Sequence, residues 1–178
     1  MEPLLFAFIA TLAAEWGDKT QLFVATLGGG RRPLPVIAGV AIGAAIAAGI
    51  AAVAGAQLHA LLAPRALALL VAVGFAYAGV TALMRPSVPA RGPLRQGGPV
   101  LTTALAVLLL ELGDKTQFNA AALSARYGEP WLVAIGAAAG VTLVAVPALL
   151  IGTAGGMAVR RVAAALFLIA AAAVALTA

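Results

Sequence analysis

One charged seven-residue motif occurs twice in a chain that is otherwise strongly apolar. The first copy, EWGDKTQ, occupies residues 15–21, and the second, ELGDKTQ, occupies residues 111–117, 96 positions later. Together they contain four of the six acidic residues of the chain and both of its lysines. An ionisable side chain at membrane depth costs about 2.5–3.5 kcal/mol on insertion scales and usually marks an ion or substrate path. The duplicated motif therefore predicts a functional site inside a membrane.

The composition of the chain is typical of an integral membrane protein. Hydrophobic residues make up 63% of the 178 positions and charged residues only 10%, whereas a soluble domain has about 25% charged residues. One spanning helix needs about 20 mostly apolar residues, so the chain has room for six spans joined by short loops. We predict an all-α integral membrane protein with six transmembrane helices and no soluble domain.

Turn residues and charged clusters divide the apolar sequence into six predicted helices. The first five cover residues 3–27, 34–56, 66–84, 100–124 and 131–151, and the sixth ends near Ala178. The longest polar stretch, residues 85–99, contains three arginines and four prolines. We interpret it as a linker between two halves of the chain.

The six predicted helices form two similar sets of three. In each set the first helix carries the charged motif and the second carries a Gly-x-x-x-Gly pair, Gly39 with Gly43 or Gly136 with Gly140, which allows close helix contact. Because three is an odd number, the two sets must enter the membrane from opposite sides, as in the inverted repeats of many secondary transporters. The predicted units are repeat 1 (1–84), the linker (85–99) and repeat 2 (100–178).

The arginines predict the orientation in the membrane. Seven lie in loops on one side, and two lie on the other. The larger set is Arg31, Arg32, Arg85, Arg91, Arg95, Arg160 and Arg161, and the smaller set is Arg65 and Arg126. By the positive-inside rule, both termini are outside and the linker is cytoplasmic. The same rule explains the net charge of +5 without a nucleic-acid partner.

The two motifs are expected to meet near the middle of the bilayer. Glu15 and Glu111 each lie 11 or 12 residues into their predicted helix, roughly 18 Å at 1.5 Å per residue. A two-fold axis in the membrane plane would bring the two acidic patches together. Gly17 and Gly113 are candidate hinges, where local unwinding would free backbone carbonyls as further ligands.

The side chains of the motif suit a hard divalent cation. The candidate metal ligands are Glu15, Asp18, Glu111 and Asp114. The supporting polar or charged side chains are Lys19, Thr20, Gln21, Lys115, Thr116 and Gln117. Oxygen ligands of these kinds favour Ca²⁺, Mn²⁺ or Mg²⁺, and the chain has no cysteine and a single histidine, in a predicted turn, for zinc, copper or nickel. Four carboxylates and two ammonium groups sum to −2, which a divalent cation would balance. The same carboxylates could bind protons when the metal leaves, so metal–proton exchange needs no other residues.

Three other hypotheses remain open at this point. Glu15 with Lys19 and Glu111 with Lys115 have the spacing of ion pairs within a helix, although a purely structural role leaves Asp18 and Asp114 unexplained. An exporter of amino acids or other small solutes could share the fold class. An intramembrane lipid-phosphate hydrolase could use the glutamates, but no Ser, Cys or His lies near the motif.

Both motif copies resemble the signature of the Gdt family of cation transporters, Glu-x-Gly-Asp-(Lys/Arg)-(Ser/Thr), which occurs twice in its members. The positions that match are Glu15, Gly17, Asp18, Lys19 and Thr20, and Glu111, Gly113, Asp114, Lys115 and Thr116. The resemblance covers nearly the whole chain. It implies a non-enzymatic transporter of Mn²⁺ or Ca²⁺, exchanging protons, with the motif acids as ligands and no permanent cofactor.

The short chain and its Ala-, Gly- and Arg-rich composition resemble those of a bacterial manganese exporter of the inner membrane. Such a protein interacts with the transported ion, with protons and with the lipid bilayer. No obligatory protein partner and no nucleic acid is expected.

Overall fold

A computed structural model of the chain describes residues 1–27, 33–84, 98–152 and 156–178. These residues form eight α-helices and no β-strand, which confirms the predicted all-α class. The helices are α1 (Glu2–Glu15), α2 (Lys19–Leu27), α3 (Pro33–His59), α4 (Pro64–Leu83), α5 (Pro99–Glu111), α6 (Lys115–Tyr127), α7 (Pro130–Ile151) and α8 (Met157–Thr177). Most of the predicted linker, residues 85–97, lies outside the described residues.

The prediction of two continuous motif helices, over 3–27 and 100–124, is wrong. The first is divided into α1 and α2 and the second into α5 and α6, each with a break inside the motif. At each break the glycine has a left-handed backbone, with φ of +79° at Gly17 and +74° at Gly113. A residue with a Cβ atom adopts this backbone conformation only at a cost in free energy, whereas glycine adopts it freely. The candidate hinge glycines are therefore the positions where the helices unwind.

Four of the described helices are long and apolar enough to cross a membrane. They are α3, α4, α7 and α8, with 20 to 27 residues and mean hydropathies of 2.0 to 2.4. Three of them begin and end within about three residues of the predicted bounds, which is the usual uncertainty of helix ends. The helix α5 is a shorter apolar helix, because the motif interrupts it.

The Gly-x-x-x-Gly pairs place each half of the molecule against the other. A Cβ atom on Gly43 of α3 would lie 2.5 Å from the Ala104 carbonyl oxygen in α5. A Cβ atom on Gly136 of α7 would lie 2.2 Å from the Leu4 carbonyl oxygen in α1. Both distances are too short for any residue except glycine, so the second helix of each half packs on the first helix of the other. This reciprocal packing confirms the predicted role of the pairs and brings the two motif breaks together.

Candidate metal centre

In each motif the glutamine side chain accepts a hydrogen bond from the backbone of the unwound glycine. The amide N–H of Gly17 donates to Gln21 Oε1, and that of Gly113 donates to Gln117 Oε1, both at 2.7 Å. The helices α2 and α6 begin immediately after Asp18 and Asp114. The N-terminus of a helix carries partial positive charge, so each half places such an end beside its motif aspartate.

Three of the four predicted metal ligands converge. Carboxylate oxygens of Glu15, Asp18 and Asp114 all lie within 4.8 Å of one another. The ammonium group of Lys115 is in the same cluster, 3.3 Å from Asp114 Oδ2 and 3.8 Å from Glu15 Oε1, and it also donates to Asp18 Oδ2. Both halves of the chain therefore contribute to a single cluster, which we call the acid cluster.

Glu111, the fourth predicted ligand, lies beside the acid cluster in a different hydrogen-bonding environment. Its Oε1 accepts from Thr20 Oγ1 and its Oε2 from Thr116 Oγ1, both at 2.6 Å. The two threonines predicted to support the site thus orient Glu111, one from each half.

Glu15 is the least compensated acid of the cluster. It is only 1% exposed, and neither of its carboxylate oxygens accepts a hydrogen bond from any residue that the structure describes. The Lys115 ammonium at 3.8 Å is its ion-pair partner within that part of the chain. A buried carboxylate without hydrogen bonds is unfavourable unless a cation or a proton neutralises it. The donor set around Glu15 is therefore chemically suited to a hard divalent cation.

Each lysine forms an ion pair with an acid of the other motif, and Lys115 also pairs with Asp114 of its own motif. Lys19 lies 3.1 Å from Asp114 Oδ1, whereas Lys115 binds Asp18. Among the described ion pairs none joins Glu15 to Lys19 or Glu111 to Lys115, so the hypothesis of internal helix pairs is wrong. The physical reason is the break at each glycine, which turns the lysine away from the glutamate four positions earlier.

The two glutamines donate to backbone carbonyls of the neighbouring helices. Gln21 Nε2 donates to the Val144 carbonyl of α7 at 3.2 Å, and Gln117 Nε2 donates to the Ala47 carbonyl of α3 at 3.3 Å. The two acceptors are 97 positions apart in the sequence, almost the same offset as the motifs. Each glutamine thus connects its own motif to the other half.

Arg160 is a residue of the site that the sequence analysis missed. We predicted a loop position, but α8 begins at Met157 and Arg160 is buried in its first turn, 3% exposed. Its Nη1 donates to Asp18 Oδ1 at 3.1 Å and to the Gly17 carbonyl at 2.8 Å. The only signal in the sequence was a pair of arginines at the start of an apolar segment, which does not tell which of them faces inward.

These observations describe a helical protein with apolar helices long enough to cross a membrane and a buried acidic cluster to which both motif copies contribute. A family model described as "Divalent cation/proton antiporter GDT1" matches residues 3–88 and 99–178. The chain belongs to this family of divalent cation/proton antiporters. It is therefore a multi-pass membrane transporter and not an enzyme, which confirms the resemblance and excludes the lipid-phosphate hydrolase. Because the family transports divalent cations, the hypothesis of an amino-acid exporter is wrong.

A curated bacterial relative is similar over almost its whole length. The protein named "Putative manganese exporter" of Vibrio cholerae serotype O1 (strain ATCC 39541 / Classical Ogawa 395 / O395) is 31% identical over 178 residues. The match covers 95% of this chain and 88% of the relative. No solved structure matches the chain.

Proposed function

We propose that the protein exports Mn²⁺ across the bacterial inner membrane in exchange for protons, with the acid cluster as its cation site. The observation that carries this proposal is the convergence of three carboxylates from both halves within 4.8 Å. Glu15, Asp18 and Asp114 supply the direct ligands, and Glu111 is the neighbouring carboxylate that completes the predicted set of four. The name of the relative favours manganese, and Ca²⁺, which accepts the same oxygen ligands, is the competing substrate.

Competition for the same carboxylates provides the exchange. A divalent cation binds carboxylates in their ionised form, so its binding releases any protons that they hold. Glu15 is the acid most dependent on such a partner, because it is buried and lacks hydrogen bonds from the described residues. A proton and the metal therefore neutralise this carboxylate alternately.

The proposed architecture has six spans in two inverted repeats, 1–84 and 100–178, joined by the linker 85–99. In this proposal α1 with α2, and α5 with α6, each form one broken span, and α3, α4, α7 and α8 are the continuous ones. The reciprocal contacts of the Gly-x-x-x-Gly pairs and of the glutamines support a two-fold relation between the halves. Broken spans that meet at a central ion site are a recurrent feature of such transporters.

The proposed orientation has both termini outside and the linker 85–99 in the cytoplasm. Because Arg160 is buried in the first turn of α8, it no longer counts as a loop arginine, which leaves six arginines against two. Five of the six, Arg31, Arg32, Arg85, Arg91 and Arg95, lie outside the described residues. Since the chain has no cysteine, single cysteines introduced at Ala90 and Ala178 can be probed with an impermeant maleimide on whole cells, and the proposed orientation predicts labelling at Ala178 and none at Ala90. Labelling of a cysteine at position 90 from outside the cell would contradict the proposed orientation.

Transport by purified protein in liposomes tests the function directly. Mn²⁺ entry should be accompanied by proton movement in the opposite direction, reported by a pH-sensitive dye, and Glu15→Gln should abolish both signals. The matched control is Glu129→Gln, because Glu129 is an exposed glutamate outside the motifs. Full transport by Glu15→Gln would contradict the proposed site, and a larger flux of Ca²⁺ than of Mn²⁺ would contradict the proposed substrate.

A further inference from the structure

The Arg160 guanidinium connects three separate parts of the molecule. Its Nη1 donates to the Gly17 carbonyl and to Asp18 Oδ1, at the break between α1 and α2. Its Nη2 donates to the carbonyls of Thr81 at 3.2 Å and Met84 at 2.8 Å, at the C-terminal end of α4. One buried side chain therefore joins the start of α8, the end of α4 and the first motif.

Both carboxylate oxygens of Asp18 accept hydrogen bonds from cationic side chains. Oδ1 accepts from Arg160 and Oδ2 accepts from Lys115. A metal bound at Asp18 would lie close to both of these cations and would be repelled by them. Lys115 is also paired with Glu15 and Asp114, so it has other acids of the cluster to hold it. Asp18 is the one acidic partner of Arg160 among the described residues, so withdrawal of Arg160 breaks one charge pair, whereas withdrawal of Lys115 breaks three.

The charge of the site leads to the same conclusion. Four carboxylates with Lys19, Lys115 and Arg160 sum to −1, and not to the −2 obtained from the motifs alone. A divalent cation would bring this buried region to +1 while Arg160 stays in place. If Arg160 withdraws, the remaining six groups and the metal sum to zero, which is more favourable in a region of low dielectric constant. An arginine is always charged, so its withdrawal and not its deprotonation removes the excess charge.

The second motif has no equivalent of this contact in the described structure. Asp114 is paired with Lys19 and Lys115 only. The residue 96 positions before Arg160 is Pro64, which has no cationic side chain, and Arg65 beside it is exposed. The Arg160 contact is thus a feature of one motif and one face of the cluster.

We infer that Arg160 is an internal counter-ion of Asp18 and that the transported cation displaces it. The departure of Arg160 then separates the first motif from the end of α4. This inference rests on the proposed function, because it requires the acid cluster to hold the metal. Arg160 is then a positioning residue that couples metal binding to opening of the Asp18 side. When Arg160 returns to Asp18, it competes with the metal and promotes its release.

Transport kinetics of Arg160→Gln in liposomes test the inference. Without the competing charge, the KM for Mn²⁺ should fall at least about fivefold, the lower end of typical coupling between sites. The maximal rate should fall as well, because no internal cation displaces the metal. Arg161→Gln is the matched control, since Arg161 is the exposed neighbour on the same turn of α8, and it should retain the KM and the rate of the unaltered protein.

Arg160→Lys separates the charge of Arg160 from its multiple hydrogen bonds. Lysine keeps the positive charge but cannot hold several carbonyls as a planar guanidinium does. Its KM should therefore stay close to that of the unaltered protein, while its maximal rate falls. A purely structural role for Arg160 would instead reduce the amount of folded protein and leave the KM unchanged in both variants.

A labelling experiment tests the same movement with Arg160 in place. Thr81 is half-buried next to the guanidinium, so in the cysteine-free chain Thr81→Cys should react several-fold faster with a soluble maleimide when Mn²⁺ is added. Gly98→Cys is the control, because Gly98 is exposed, an added Cβ atom there would meet no atom within 4 Å, and its rate should not change.

The outcomes distinguish this inference from the proposed function. An unchanged or higher KM in folded Arg160→Gln would overturn the role of Arg160. If that variant does not fold, a labelling rate at Thr81→Cys that is insensitive to Mn²⁺ overturns it equally. If the unaltered protein neither binds nor transports Mn²⁺, it is the proposed function that fails.

Discussion

The two motif copies have almost the same sequence and the same backbone, yet their aspartates have different surroundings. The side chain of Asp18 is buried, 7% exposed, and binds Lys115 and Arg160. The side chain of Asp114 is 14% exposed and pairs with the more accessible Lys19 as well as with Lys115. The difference comes from α8, which contributes a buried arginine to one copy only. The duplicated sequence thus creates one shared acid cluster, and the surrounding helices make its two sides unequal.

The largest expected effect comes from neutralising the aspartates on the two sides. Asp18→Asn and Asp114→Asn should each reduce Mn²⁺ transport by about 100-fold or more, because even partners outside the direct ligand shell cost 10–100-fold in metal sites. The measurement is initial uptake into liposomes at saturating Mn²⁺. If only one of the variants loses transport, the two sides do not form one site.

The two lysines should differ strongly in their contribution to stability. Lys115 is buried and contacts three acids, so Lys115→Met leaves uncompensated charges and should destabilise the fold by about 3 kcal/mol or more. Lys19 is 26% exposed and pairs with Asp114 alone among the described residues, so Lys19→Met should cost about 1 kcal/mol or less. Thermal unfolding in detergent compares the two variants. Equal losses would show that the two sides are electrostatically equivalent.

The two threonines should have matching effects, in contrast to the lysines. Thr20 and Thr116 donate to different oxygens of Glu111 at the same distance, 2.6 Å. Removing one hydrogen bond to a charged group costs about 1.5 kcal/mol or somewhat more, so Thr20→Val and Thr116→Val should lower the unfolding temperature by similar amounts. Clearly unequal shifts in unfolding temperature would show that the asymmetry between the two motifs extends to Glu111.

The smallest expected effect is on the pH dependence of binding, and it tests whether the two sides act together. Protons and Mn²⁺ compete for the same carboxylates, so Mn²⁺ affinity should weaken as the pH falls from about 8 to 5.5. Calorimetric titrations across this range provide the measurement. A constant affinity would contradict a single proton-linked site made of acids from both halves.

The comparison of the motifs also shows which parts of the site could be predicted. Their sequence and spacing predicted the candidate ligands and the hinge glycines Gly17 and Gly113, because charges buried in a membrane have few structural uses. The sequence did not show that the helices break. A glycine within a helix costs only about 1 kcal/mol, so a continuous helix was equally compatible with the composition.

The sequence by itself determined the all-α class, the duplication and the oxygen-rich chemistry of the site, because these follow from hydrophobic runs and from the residue types of the motif. Tertiary structure alone decided that Glu15, Asp18 and Asp114 converge while Glu111 binds two threonines, since the orientation after each break depends on the packing of α3 and α7. The tertiary structure also determined that Arg160, and not Arg161, contacts Asp18. Neighbouring residues of a helix point about 100° apart, and only the packing of α8 against α4 directs the first of the pair to Asp18.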